Sequence, residues 1–341
     1  MINIISKAYL SKNATGPKKV VDNLIKGLDI LGYPYVINKR LDACQRLWIH
    51  DDTAALARIN KLDPSVKVVA GPNLYVVPRN IPRAIDLSKV IYLHPSQWVK
   101  DFWLDFGFGR CPIEVWPAGI DTDEFKPAPD DKEHVLVYFK QRGSEELEII
   151  ENSLQKRKIK YKLINYSASY KEKDYKDLLK KSRYLIWLGR QESQGIALEE
   201  ALACDIPALI CDVSYVGQWS VDRKLRGILD EEENAYQNTT SAPYFDERCG
   251  IKIKDLSKIS EAINIMEDGC ESFNSRQYIV KNLNLEKQAA DFLLIYEKYF
   301  GLTIEQGRHI SLGKSEDWRN NKLYFKLYLN LKNSAKHILR R

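Results

Sequence analysis

The segment from Tyr184 to Asp212 holds the residues whose types and spacing are best suited to chemistry, and it reads YLIWLGRQESQGIALEEALACDIPALICD. An apolar run ends in a polar loop that contains glycine, and a helical pattern begins at about Ser193–Gly195. A parallel strand followed by such a loop and a helix directs free backbone N–H groups and the positive end of the helix out of the carboxyl edge of the sheet. We therefore expect a phosphate-bearing ligand at this loop.

One carboxylate in the following helix lies on its apolar stripe. Ile196, Glu200 and Cys204 are spaced four residues apart, so Glu200 shares a face with residues expected to point toward the core. A carboxylate in that position is costly unless something donates hydrogen bonds to it. Two interpretations stay open: the helix is rotated so that Glu199 and Glu200 are both solvated, or Glu200 accepts hydrogen bonds from ligand hydroxyl groups.

Elements that could position these residues run along most of the chain. Short apolar runs rich in β-branched residues alternate with segments of helical periodicity, which is typical of a parallel sheet covered by helices. In the first third the predicted strands are Ile2–Ile5, Tyr35–Asn38, Leu47–His50, Lys67–Ala70, Val90–Leu93 and Ile113–Trp116. The predicted helices there are Lys18–Leu31, Thr53–Asn60 and Ser96–Phe106.

A proline-rich and acidic segment, WPAGIDTDEFKPAPDDKEH, then interrupts the periodicity. Beyond it the predicted strands are Val135–Phe139, Tyr161–Asn165, Tyr184–Leu188 and Pro207–Cys211. The predicted helices are Glu145–Gln155, Lys173–Lys180, Gly195–Cys204 and a helical stretch over Leu256–Phe300. We predict an α/β protein with two Rossmann-like domains facing a cleft, residues 1–128 and 129–300, and a basic helical tail over residues 301–341.

Composition excludes several classes of protein. The chain has 341 residues, of which 44% are hydrophobic and 29% charged. It is therefore neither a small scaffold that depends on disulfides or a metal for stability nor a disordered chain. It begins without a secretory signal pattern, and no stretch reaches the roughly 18 apolar residues of a membrane span. The six cysteines show neither zinc-site nor disulfide spacing, so we expect reduced thiols and a cytoplasmic protein.

The positive charge is concentrated in the tail. Residues Arg308–Arg341 contain nine Lys or Arg and two Asp or Glu, whereas the other 307 residues contain 43 and 44. These 307 residues therefore have a net charge of −1, which argues against nucleic-acid binding. Leu323, Leu327 and Leu331 recur on one face of the tail, which either packs back on the first domain or lies against an anionic membrane surface, with a membrane-peripheral location as the consequence.

Two motifs resemble a known family. Glu192, seven residues and then Glu200 resemble the Glu-seven-Glu signature of retaining, nucleotide-sugar-dependent glycosyltransferases of family 4, which have the two-domain GT-B fold. The segment IEVWPAGIDTDEFKP, from Ile113 to Pro127, is similar to the linker between the two domains in that family. The resemblance covers roughly residues 1–300 and is weakest in the first 110.

The resemblance implies a donor site in the second domain. Glu200 would bind the ribose hydroxyls of the nucleotide, and Glu192 would approach the C3 hydroxyl of the transferred sugar. The backbone N–H groups implied to hold the diphosphate are those of Ser193, Gln194 and Gly195. A basic residue usually completes this site, and VLVYFKQRG offers either Lys140 or Arg142.

The first domain would contribute the remaining site residues. Gly16, in NATGPKK, corresponds to a glycine loop that lets the donor phosphate and the acceptor approach the backbone, although Pro17 is also what ordinary helix capping favours. The family's usual histidine is absent from VVAGPNLYV, where Asn73 could substitute as a donor. His94 is a second candidate at a strand end, and His50 is a weaker one.

The family chemistry needs neither a cofactor nor a metal. Asp121 and Asp123 match an Asp-x-Asp pattern that binds metal in a different fold, but they lie in the linker motif and we interpret the match as coincidence. We expect a metal-independent hexosyltransferase-type glycosyltransferase that moves sugar from a nucleotide-diphosphate sugar to a glycan or lipid-linked acceptor, in polysaccharide biosynthesis. A nucleotide-sugar epimerase and an inert nucleotide-sugar binder on the same fold remain the alternatives.

Overall fold

The computed structural model of the protein describes residues 1–13, 15–129, 131–168, 171–219 and 228–302. These residues form two α/β units, each built on a parallel sheet, which confirms the predicted fold class. The exact domain bounds stay a prediction. Of the predicted tail only Gly301 and Leu302 are among the described residues, so both interpretations of the tail also stay predictions.

The first domain has a six-stranded sheet with the order β2-β1-β3-β4-β5-β6. Its strands are β1 (Ile2–Ile5), β2 (Tyr35–Ile37), β3 (Arg46–Ile49), β4 (Lys67–Ala70), β5 (Val90–His94) and β6 (Ile113–Val115). Its helices are α1 (Gly16–Ile30), α2 (Thr53–Leu56) and α3 (Gln97–Asp105). All strand pairs are parallel, so the loops after β1, β3, β4 and β5 meet at one edge of the sheet.

The second domain has a five-stranded sheet with the order β11-β10-β9-β7-β8. Its strands are β7 (His134–Lys140), β8 (Tyr161–Asn165), β9 (Ser182–Gly189), β10 (Ala208–Cys211) and β11 (Gly250–Ile253). The helices that follow β6 are α4 (Ser144–Lys156), α5 (Glu172–Lys180), α6 (Ile196–Ala203), α7 (Glu231–Ala235), α8 (Ile259–Gly269), α9 (Ser275–Asn282) and α10 (Leu285–Phe300).

Most predicted elements are present with small shifts at their ends. The strands predicted at Ile2–Ile5 and Lys67–Ala70 are found with those bounds, and the helix predicted over Thr53–Asn60 ends at Leu56. The short elements β11 and α7 were not predicted. None of the described helices is both long and apolar enough to span a membrane.

The helix α10 follows the second domain in sequence but packs on the first. The Tyr296 hydroxyl donates to the Leu47 carbonyl at 2.8 Å. A Cβ on Gly27 of α1 would lie 2.5 Å from the Leu285 carbonyl oxygen, so a glycine there lets α1 and α10 approach this closely. The chain thus returns to the first domain before the predicted tail begins.

The linker between the domains is fastened to the second domain by backbone contacts. Ile120 N donates to Leu283 O at 2.7 Å. The Arg276 guanidinium donates to the carbonyls of Thr122 and Phe125, both at 3.0 Å. These contacts hold the linker beside the second sheet while α10 crosses to the first.

Candidate active site

The loop between β9 and α6 leaves backbone donors free. Gly195 precedes α6 with a φ of 97°, a region that favours glycine. Within the described part of the chain, no acceptor lies in hydrogen-bond range of the N–H groups of Ser193, Gln194 and Gly195. These donors lie at the positive end of α6 and are available to an anion such as a phosphate.

The side chain of Gln194 fastens this loop to the linker. Its Oε1 accepts from Ala118 N at 3.0 Å, and its Nε2 donates to Ala118 O at 2.8 Å and to Glu199 Oε2 at 2.8 Å. The side-chain amide is therefore used inside the protein, and only the backbone N–H of Gln194 is left for a ligand.

Glu200 is buried and contacts the opposite domain. The Lys19 ammonium, in α1 of the first domain, forms an ion pair with Oε1 of Glu200. The other oxygen, Oε2, is buried and has no hydrogen-bond partner among the described residues. Burial raises the pKa of Glu200 to about 7, while the positive charge of Lys19 acts in the opposite direction. A ligand hydroxyl would supply the donor that Oε2 lacks.

The neighbouring carboxyl is buried as well. Glu199 is 1% exposed and Glu200 is 2% exposed, so the interpretation that both are solvated is wrong. Six of the eight residues of α6 are buried, which leaves the helix no solvated face at these two positions. Burial raises the pKa of Glu199 well above its ordinary value, because the charged form is disfavoured away from water.

Glu192 and Lys140, two residues singled out in the sequence, contact each other. Lys140 Nζ lies 2.6 Å from Glu192 Oε1. The pairing register places Lys140, the last residue of β7, opposite Gly189, the last residue of β9, so both side chains extend from the same sheet edge. The Lys140 ammonium also lies 4.6 Å from the centre of the Tyr166 ring.

Arg142, the other basic candidate, points into the second domain. Its side chain is 1% exposed. The guanidinium donates to Glu146, to Gly189 O at 3.1 Å and to Cys211 O at 3.0 Å. These contacts hold the ends of β9 and β10 against α4, so its donors are engaged in the fold and we assign no ligand contact to Arg142.

The first domain reaches the donor loop from α3 as well as from α1. Trp98 Nε1 donates to Glu192 O at 2.8 Å. Beside it, the Tyr244 hydroxyl donates to Pro95 O at 2.6 Å. The carbonyl of Glu192 is thus held by the first domain, which fixes this residue at the boundary of the cleft.

Asn73 and His50 lie together at the carboxyl edge of the first sheet. The Nε2 of His50 lies 3.1 Å from Asn73 Nδ2 and 3.0 Å from the carbonyl of Pro17, at the start of α1. Burial lowers the pKa of His50 to about 4, so the ring is neutral at pH 7. Gly16, the preceding residue, borders open space, because a Cβ there would meet nothing within 4 Å.

His94 lies in an aromatic cluster. It ends β5 and is 2% exposed, and its ring centre lies 4.3 Å from that of Trp103 and 5.2 Å from that of Tyr92. Burial lowers the pKa of His94 to about 3. These contacts are those of a neutral core histidine, and we assign it no ligand contact.

The linker aspartates use their oxygens locally. Asp121 Oδ1 accepts from the backbone N–H groups of Asp123 and Glu124, and its Oδ2 lies 2.7 Å from Lys26 Nζ. Across the described ranges, no group of three His, Cys, Asp or Glu residues is arranged to hold a metal ion. Asp121 caps a turn, as an aspartate in a linker commonly does.

The sequence reasoning missed Lys19 and Trp98, which carry the contacts across the cleft. Lys19 had a detectable signal: it lies in the first turn of α1, where the helix dipole disfavours a cation, so its position calls for an anionic partner elsewhere. Trp98 gave no such signal, because its role depends on how the two domains meet.

Comparisons with known proteins show similarity at the level of fold. No protein-family model and no curated protein sequence matches the chain. Sucrose-phosphate synthase from Thermosynechococcus elongatus matches with a TM-score of 0.59 at 11% identity, over 88% of this chain and 99% of that one. The catalytic domain of starch synthase IV from Arabidopsis thaliana, bound to ADP and acarbose, matches with 0.56 at 9%, over 88% and 99%.

A third solved structure, HepE from Anabaena in complex with UDP and glucose, matches with a TM-score of 0.52 at 9% identity, over 87% of this chain and 99% of that one. All three likenesses extend through both domains. The chain therefore has the GT-B fold.

Proposed function

We propose that the protein is a retaining glycosyltransferase that moves a hexose from a nucleotide-diphosphate sugar to a glycan or lipid-linked acceptor. The observation that carries this proposal is the loop at the start of α6, where three unpartnered backbone N–H groups lie between Glu192 and the free, buried Oε2 of Glu200. The Glu-seven-Glu resemblance supports it. So do the fold neighbours, two of which were solved with a nucleoside diphosphate bound.

Each part of a nucleotide sugar would contact a different group of this site. Ribose hydroxyls would donate to Glu200 Oε2, and the diphosphate would accept from the N–H groups at the start of α6. Lys140 would complete the diphosphate site, because it extends from the same sheet edge and its side chain remains partly exposed. The sugar would then lie beside Glu192, with Asn73 facing it from the first domain.

The chemistry proposed for this site needs positioning and charge stabilisation more than a strong base. The bond between the anomeric carbon and the leaving phosphate oxygen breaks through an oxocarbenium-like transition state. The acceptor oxygen bonds to that carbon on the same face, and its proton passes to the departing phosphate oxygen. Lys140 and the α6 amides would stabilise the negative charge that develops on the diphosphate, in place of a metal.

A screen of UDP, GDP, dTDP and ADP sugars tests this function. A ligand that binds only the folded protein raises its melting temperature, which identifies the donor without any knowledge of the acceptor. Release of nucleoside diphosphate would then be followed with the identified donor and a panel of glycan and lipid-linked acceptors. The anomeric configuration of the product, read by NMR, separates retention from inversion.

The same measurements separate the alternatives. A nucleotide-sugar epimerase would convert the donor into its epimer and would add no sugar to any acceptor of the panel. An inert binder would give the melting shift with neither new sugar nor acceptor product. A protein that shows no shift with any nucleotide sugar would contradict the proposal altogether.

The ion pair between Lys19 and Glu200 predicts a pH-dependent donor affinity. Ribose hydroxyls bind the ionised carboxylate better, and the pKa of Glu200 is about 7. We therefore expect affinity for the nucleotide sugar to rise about tenfold from pH 6 to pH 8, the ratio of ionised fractions for a pKa near 7. His50 and His94, with pKa values of about 4 and 3, do not titrate in this window.

The variant Lys19→Met tests the origin of that profile. Loss of the ammonium raises the pKa of Glu200 further, so the midpoint of the affinity curve should move to higher pH. Lys19→Arg keeps the charge and should leave the midpoint in place, and both curves can be measured by calorimetry with the identified donor. A Lys19→Met curve that superimposes on that of the wild type would show that Lys19 does not control the ionisation of Glu200.

A further inference from the structure

A cavity with a positively charged rim lies on the first domain. It has a volume of about 340 Å³ and is formed where the residues after β2 face α2 and the turn that follows it. The residues that line it are Ile5, Lys39, Arg40, Leu41, Asp42, Ala54, Ala55, Arg58, Lys61 and Leu62. Its floor contains the buried side chains of Ile5 and Ala55, and its rim carries four cations and one carboxylate.

Most of the positive charge on the rim is uncompensated. Arg40 forms an ion pair with Asp42, with Nη2 2.8 Å from Oδ2. In the part of the chain that the structure describes, Lys39, Arg58 and Lys61 have no carboxylate within ion-pair distance. Three cations are thus left facing one small cavity, which makes it attractive to an anion.

Two carboxylates that follow β3 are already engaged. Asp52 lies 2.9 Å from Lys7 Nζ and caps α2 by accepting from Ala54 N and Ala55 N. Asp51 accepts from the backbone N–H groups of Lys7 and Ala8, at 2.8 and 2.7 Å. These oxygens hold the loops after β1 and β3 together and do not neutralise the rim.

The cavity shares a sheet edge with the proposed reaction site. Ile5 is the last residue of β1, Lys39 follows β2, and α2 follows β3, so the cavity is formed at the carboxyl ends of three neighbouring strands. His50 and Asn73, which follow β3 and β4, lie at that same edge. A molecule that reached the sugar from the first domain could therefore extend into this cavity.

We propose that this cavity binds an anionic group of the acceptor, a phosphate or a sugar carboxylate, so that the acceptor is a negatively charged glycan or glycolipid. The inference rests on the proposed transferase function, because it assigns the cavity to the acceptor of that reaction. The apolar floor accepts the face of a sugar ring, and Lys39, Arg58 and Lys61 provide charge-assisted hydrogen bonds to its oxyanion.

Binding of matched octyl glycosides to the full-length protein tests this assignment. The probes are octyl glucoside, octyl glucuronide and octyl glucoside 6-phosphate, each measured by NMR titration with the identified nucleotide, or UDP, held at saturation to occupy the donor site. We expect at least one charged probe to bind about tenfold more tightly than the neutral one, and the preference to weaken in high salt. The two charged probes distinguish a carboxylate from a phosphate ligand.

A charge-removal variant and a matched control locate the binding. Combined Lys39→Gln, Arg58→Gln and Lys61→Gln should abolish the preference for charge. The control Lys89→Gln, Lys254→Gln and Lys281→Gln removes three exposed cations elsewhere and should retain it. A wild-type protein without preference, or a preference that survives in the cavity variant, overturns the inference.

The donor-induced melting shift is recorded for every variant. It reports on the donor site alone, because none of the six substituted residues contacts the α6 loop or Glu200. A normal shift with no charge preference would reject the acceptor assignment and leave the transferase proposal standing. An absent shift in the wild type would instead reject the transferase proposal.

Discussion

Replacement of Glu192 by glutamine is expected to lower turnover by about 100- to 1,000-fold, the usual effect of removing one preorganised electrostatic group from an active site. Glutamine keeps the size of the side chain but removes the negative charge that would face the reacting sugar. Affinity for the nucleotide alone should change much less than turnover. The proposed ligand contact of Glu192 is to the sugar, and it affects the diphosphate only indirectly, through its ion pair with Lys140.

The loss should appear in kcat with the identified donor and acceptor, while the melting temperature stays close to that of the wild type. Glu148→Gln is the matched control, because it makes the same chemical change at an exposed position on α4. Turnover of the Glu192 variant within a few-fold of the wild type would exclude this carboxylate from the reaction.

The strand, glycine loop and helix around Glu192 could be predicted from sequence because each depends on local chemistry. A continuous apolar run from Tyr184 to Leu188 forms most of β9, Gly195 allows the turn, and the α6 pattern is helical over eight residues. The sequence also pointed to Glu200 as an inward carboxylate. Its burial could not be decided, because it depends on how completely the rest of the second domain covers α6.

Contacts between the domains could not be predicted, since they depend on how two independently patterned units meet. Lys19 and Glu200 are 181 residues apart in sequence, and no local sequence feature of either residue identifies the other as its partner. The same limit applies to α10, which the sequence predicted only as part of a helical stretch over Leu256–Phe300, with no indication that it packs on the first sheet. Amphipathic periodicity shows that a face is buried without showing what buries it.

Arg142 could have been interpreted better from sequence. It precedes Glu146 by four residues, a spacing that brings side chains together on a helix or at its start, and the two form an ion pair in the structure. Lys140 has no acidic residue at that spacing. In the structure Lys140 pairs with Glu192, itself a proposed site residue at the sheet edge. This position favours Lys140 over Arg142 as the cation that contacts a ligand.

Replacement of Glu200 by glutamine is expected to weaken nucleotide binding by about 30- to 100-fold at pH 8, because hydrogen bonds to a charged group contribute about 1.5–3 kcal/mol each. With a pKa of about 7 the wild-type carboxylate is mostly ionised at that pH, and its unpartnered Oε2 would accept from the ribose. Glutamine places either a weaker acceptor or an N–H donor at that position. Calorimetry with the identified nucleoside diphosphate measures the loss.

The matched control for this substitution is Glu199→Gln. Glu199 is equally buried on the same helix, but its carboxyl contacts Gln194 inside the protein. Glutamine there makes the same chemical change without removing a proposed ribose contact. Nucleotide affinity should then stay within about threefold of the wild type. Equal losses in the two variants would mean that any change in α6 disturbs the site.

The pH dependence of the melting temperature provides a second measurement on Glu200→Gln. The folded-state pKa of Glu200, about 7, lies above the ordinary glutamate value, so the unfolded state gives up this proton first. The contribution of Glu200 to stability is complete below about pH 4.5 and is lost as the pH rises through 7. The variant has no such group, so its melting temperature relative to the wild type should increase between pH 5 and pH 8. A variant that melts lower at every pH and still binds nucleotide normally would show that Glu200 has a structural role and does not bind the ribose.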